Sequence, residues 1–105
     1  MQQSLSVVLE RNTRVSGEFA TEPYEAAWAR EARWFVRALD LSGTLEAATQ
    51  ISPDGLHWCD LDDCTMSLRQ AGMVSHAVRE FGGWLRLKGV VDGDAKVLIY
   101  LVLKS

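Results

Sequence analysis

The carboxy-terminal run Ala95-Lys96-Val97-Leu98-Ile99-Tyr100-Leu101-Val102-Leu103 limits the choice of fold more than any other part of the chain. Its β-branched and aromatic residues favour a strand. As a strand it is apolar on both faces, with Val97, Ile99, Leu101 and Leu103 on one side and Leu98, Tyr100 and Val102 on the other. Such a strand belongs in the middle of a sheet or beneath a partner chain. Just upstream, Gly83 to Val91 alternates, Arg86 and Lys88 sharing a face opposite Leu85 and Leu87. Asp92-Gly93 stands between the two runs and tolerates the positive φ of a tight primed turn, which predicts a hairpin of the last two strands.

The rest of the chain is punctuated in the same way, with two prolines, eight glycines and no low-complexity tract. Leu5, Val7 and Leu9 alternate with Ser4, Ser6 and Val8, a period of two that Arg11-Asn12-Thr13-Arg14 ends and Gly17 punctuates. Glu25 to Leu39 can be read two ways. Trp28, Ala32, Phe35, Val36 and Leu39 fall at helical spacing, whereas a period of two puts Ala32, Trp34, Val36 and Ala38 on one side. Local propensity favours the helix. The strand-like surroundings, and Leu41-Ser42-Gly43 read as a meander turn before Thr44 to Ile51, favour a strand over Glu31 to Leu41. Tyr24 to Ala29 is then one short helical turn or an irregular approach. The expectation is all-β: one antiparallel, jelly-roll-like β-sandwich of about seven or eight strands filling residues 1–105. For 105 residues the expectation is one core and a single domain.

Fourteen acidic against eleven basic residues give a net charge of −3. That argues against a nucleic-acid partner, which needs a basic face to neutralise phosphates. No run reaches eighteen uninterrupted apolar residues, and Met1-Gln2-Gln3-Ser4 lacks the basic and apolar regions of a signal peptide. The expectation is cytoplasmic synthesis with no membrane partner.

Ser52-Pro53-Asp54-Gly55-Leu56-His57-Trp58 carries the most distinctive pattern. Proline sets φ, aspartate bonds forward to the backbone, glycine takes the left-handed position, and Trp58 is expected to return to the core. A long strand, this S-x-D-G-x-x-W turn, the aromatic strand Phe81-Gly82-Gly83-Trp84-Leu85-Arg86-Leu87 and a final apolar hairpin together resemble small β-sandwich virion proteins. These are phage and phage-like head decoration or accessory proteins, and related sandwiches serve as carbohydrate-binding and discoidin-like modules. The resemblance implies a structural, non-catalytic protein on a virion or particle surface. Its implied partners are its own copies, as a dimer or trimer, and a capsid or other large assembly.

Candidate chemistry is sparse. His57, Cys59, Asp60, Asp62, Asp63 and Cys64 gather the metal-binding residue types into eight positions. The set has only three nitrogen or sulfur ligands for zinc, and it lacks the glycine and distal glutamate of an EF-hand loop. A solvated acidic loop with two reduced thiols is the expectation, and a small metal-binding protein is the third functional reading. His57 and His76 are the only histidines, and no nucleophile elbow, phosphate loop or zinc-protease motif accompanies them. No enzymatic activity and no cofactor are expected. Four tryptophans are many for so small a core. Trp34, Trp58 and Trp84 are expected inside, whereas Trp28 is the best contact residue, with Tyr24, Glu25 and Arg30 near it in sequence. His76, between two valines, and Tyr100, on the two-sided strand, complete the interface or ligand candidates. A glycan is the alternative partner, held by exposed tryptophans.

Overall fold

The computed structural model describes residues 3–105, except for the side chains of Asp62, Asp63 and Cys64. Six strands follow one another: β1 (Ser4–Ala20), β2 (Tyr24–Glu25), β3 (Glu31–Ser52), β4 (Cys59–Leu68), β5 (Gly72–Val78) and β6 (Trp84–Lys104). They form an antiparallel sheet in the order β1-β6-β3-β4, with β2 added beside β6 and β5 beside β3. The strand apolar on both faces is central, since β6 pairs with β1 on one side and β3 on the other.

The 22 residues of β3, at about 3.3 Å each, would reach about 73 Å if straight. The longest dimension of the molecule is 41 Å, so the long strands must fold back on themselves. They do so at Gly43 and Gly93, which face each other in the ladder with φ of 91° and 119°. A Cβ on either glycine would overlap the opposite strand's carbonyl oxygen, that of Asp92 or of Ser42. Two expectations are corrected here: Asp92-Gly93 is no hairpin and Leu41-Ser42-Gly43 no meander turn. Both supply the positive φ that their residues suggested, but each glycine spends it on a bend inside a continuous strand. The true partner of Asp92-Gly93 is the matching bend fifty residues earlier, a long-range pairing that a local turn signal does not encode.

The bends divide the sheet into two layers of a sandwich. The first holds β1 to Val15, β6 from Ala95, β3 to Leu41, and β5; the second holds the end of β1 with β2, then β6 to Val91, β3 from Thr44, and β4. Each layer is four strands across. In β6 the inward residues are odd-numbered on both sides of the bend, from Leu85 to Leu103. In β3 they change from Ala32, Trp34, Val36 and Ala38 to Leu45, Ala47 and Thr49. One extra residue, at the register shift between Ala38 and Asp40, turns the pleat over and keeps the apolar side inward. The inward residues of both layers make one cluster centred on Trp34, Val36, Leu45, Leu87, Ile99 and Leu101.

Other expectations shift. β1 does not end at Arg11-Asn12-Thr13-Arg14; three register shifts, and Asn12 at φ 53°, carry it on to Ala20. No helical turn occupies 24–29: Tyr24 and Glu25 pair with Leu85 and Trp84, and a tight turn follows in which the Ala29 N–H bonds the Ala26 carbonyl at 3.0 Å. Ala26 is fully buried, so packing rather than helix propensity sets this segment. Of the three tryptophans expected in the core only Trp34 is there; Trp58 and Trp84 are half-buried. The acidic stretch is no loop from Cys59 onward, because Cys59–Leu68 is a strand.

Candidate functional site

Each layer turns one face outward. On the first, the ladder sets Val8, Tyr100, Phe35 and Ser75 in one row and Ser6, Val102, Arg33 and Ala77 in the next. Phe35, Tyr100 and Val102 are half-buried and lie outside the core, their inward neighbours being Trp34, Val36, Leu101 and Leu103. The Arg33 guanidinium extends over β5 and donates to the Ser75 hydroxyl at 2.9 Å. A groove of about 660 Å³ runs along this end, floored by Phe35, Ala77 and Val102 and walled by Arg30, Arg79 and Lys104. Glu80, on its rim, has φ of 56°, unusual for a non-glycine residue. At the bend, Arg14 bonds Asp94 at 2.6 Å and Asp40 at 3.3 Å.

On the second layer the Ser52–Trp58 turn is built as its residues suggest. Gly55 takes φ 80°, the Ser52 hydroxyl accepts from the Gly55 N–H at 2.8 Å, and Asp54 accepts from the N–H groups of Leu56 and His57 at 2.8 and 2.9 Å. The His57 N–H, then the His57 ring and the Leu56 N–H, hold the Asp54 carboxyl below the usual carboxylate range. Gly55 lies against the Trp84 ring, where a Cβ would approach to 3.2 Å. Trp58 lies under the Arg86 guanidinium, 4.4 Å from ring centroid to charge. Arg86 donates in turn to Gln50 (2.7 Å), and Gln50 to Asp60 (2.9 Å). A shallower groove beside this chain of polar groups is lined by Glu18, Glu46, Asp60 and Lys88. Among the described residues no three His, Cys, Asp or Glu side chains converge on a metal position. The side chains of Asp62, Asp63 and Cys64, which the metal reading needs, lie outside what the structure describes. The Cys59 thiol is exposed and His57 is engaged with Asp54.

The five interface candidates do not form one patch. Tyr100 and Arg30 belong to the first layer's outer face and its groove. Trp28, 37% exposed, lies at one end of the sandwich in a shallow hollow with Gln3, Ser4 and Leu5. Tyr24 packs against the core from β2, and His76 stands opposite Trp34 on the inward side. Sequence reasoning missed Phe35, Val102 and Arg33 as members of an outer face, and Arg86 and Gln50 as the groups that hold Trp58. The period-two reading of 31–39 puts Arg33 and Phe35 opposite Trp34, and that of the last strand puts Val102 beside Tyr100, but only the β3–β6 register joins the two pairs into one face.

No family model matches the chain, and no curated protein matches it in sequence. Its fold is nonetheless found among solved structures. The PBSX exported protein XepA superposes with a TM-score of 0.74 at 9% identity over 94% of this chain, which spans about a third (36%) of XepA. The SPBc2 prophage-derived protein YomS superposes with a TM-score of 0.65 at 15% identity over 100% of this chain and 96% of its own. The CBM36-1 domain of a multidomain xylanase from the hindgut metagenome of Trinervitermes trinervoides gives 0.55 at 9% identity, over 95% and 96%. At these identities the comparisons establish a shared β-sandwich fold.

Proposed function

We propose that the chain is a structural, non-catalytic subunit of a phage or phage-derived particle. It associates with its own copies as a dimer or trimer and lies on the surface of a larger assembly. The observation that carries this reading is the end-to-end correspondence with prophage-derived YomS, in which one sandwich of the same extent is a whole chain. The edge of β1 supports the self-association. Ser4 to Val8 pairs with β6 without a register shift, carries no charge, and presents Leu5 at 40% exposure beside Trp28. Bulges and inward charges, the usual protections of an open edge, are absent there. Sedimentation equilibrium at micromolar concentration tests the association: the expected mass is two or three times that of the chain, and a monomer would contradict it.

The carbohydrate-binding reading stands second, favoured by the likeness to the CBM36-1 domain and by half-buried Trp58 beside Arg86, Gln50 and Asp60. It predicts a change in tryptophan fluorescence on a glycan panel, removed by Trp58→Ala.

A further inference from the structure

We infer that the outer face of the first layer is a docking surface for an acidic, extended segment of another protein, with the groove lined by Arg30, Arg79 and Lys104 as its anchor. This rests on the reading of the chain as an assembly subunit and names the chemistry of its contact. The chain is acidic overall, yet six of its eleven basic residues, Arg30, Arg33, Arg37, Arg79, Lys96 and Lys104, lie on or around this one face. The carboxylates that could neutralise it are few. Asp40 and Asp94 are held by Arg14 at the bend, which leaves Glu31 and Glu80 in the groove. Charge gathered in this way, against the sign of the molecule, gives complementarity to an acidic partner.

The floor decides the class of partner. Phe35, Val102 and Ala77 give the groove an apolar base, and Phe35 and Tyr100 continue it along the face. A chain of alternating carboxylates and apolar side chains would meet arginines with the first and this floor with the second. A nucleic acid fits worse: a phosphate backbone makes no use of the apolar floor, and the floor's one aromatic ring, Phe35, is half-buried and offers little for bases to stack on. Arg33 is already held in place by Ser75, so little side-chain freedom is lost when its remaining N–H groups take up a carboxylate.

The test uses the intact chain and a fluorescein-labelled peptide of alternating glutamate and leucine, followed by anisotropy. Binding at low salt is expected, weakening by about tenfold or more at high salt as the charges are screened. Arg33→Glu with Lys104→Glu should abolish it, while Lys88→Glu, on the opposite layer, should leave it unchanged. Melting curves of the three proteins verify that each is folded; all three positions are exposed. Peptide binding that survives Arg33→Glu with Lys104→Glu, or no binding at low salt, would overturn the inference. So would equal, equally salt-sensitive binding of an oligothymidylate, which would make the face a general polyanion surface. Sedimentation mass is read on the same samples: an oligomer that ignores the peptide refutes the docking surface and leaves the assembly reading intact, whereas a monomer refutes that reading.

Discussion

Replacing Gly93 by alanine tests the bend on which the sandwich depends. At φ 119° a residue with a Cβ is strained, which costs about 1–3 kcal/mol. The added carbon would also overlap the Ser42 carbonyl oxygen, a backbone atom that cannot rotate away. Forcing an extra carbon into a packed position costs about 1–3 kcal/mol more. The sum, about 2–6 kcal/mol, is a large part of the roughly 5–15 kcal/mol that holds a domain of this size together. Gly17→Ala supplies the control: φ there is 69°, but nothing lies within 4 Å of the new carbon, so only strain remains. Urea titrations of the three proteins should place Gly93→Ala well below Gly17→Ala in midpoint, with Gly43→Ala close to Gly93→Ala. In thermal melts each kcal/mol corresponds to about 4–8 °C. A Gly93→Ala variant that unfolds together with Gly17→Ala would refute the paired-glycine bend.

Trp34→Ala should cost about 3–5 kcal/mol in denaturant titration. Trp34→Phe should cost much less than its lost volume suggests, because it removes a buried indole N–H that has no hydrogen-bond partner among the described residues. The lowered Asp54 pKa gives a pH dependence of definite sign: its contribution is complete above the ordinary carboxylate range and is lost as pH falls through the lower folded value. Amide exchange at Leu56 and His57 should therefore quicken only in strong acid in the parent, and at neutral pH in Asp54→Ala. Arg86→Met should destabilise by about 0.5–1 kcal/mol and change Trp58 emission, both readable in one fluorescence-detected titration.

The legible parts of the sequence were those where one face is buried and period two is unbroken. The two-sided apolar run 95–103 announced a central strand, and the alternation Ala32, Trp34, Val36, Ala38 outweighed a helix-favouring composition because burial of four inward side chains dominates small propensity differences. What was not legible depends on partners distant in sequence. Asp92-Gly93 has the residues of a hairpin, and only the opposed Gly43 makes it a bend. Trp58 has the look of a core residue, but it is half-buried beneath Arg86, which comes from a strand far along the chain. The outer face of Arg33, Phe35, Tyr100 and Val102 needed the β3–β6 register, which no local pattern supplies.

The central claim is that this sandwich is a component of a particle, and one measurement addresses it directly. Particles are induced from cells carrying the gene, banded on a density gradient, and each fraction is quantified for this chain and for the major coat protein. The account predicts that the chain bands with the coat protein at a fixed ratio that survives washing. A chain that stays at the top of the gradient while the coat protein bands below would contradict it.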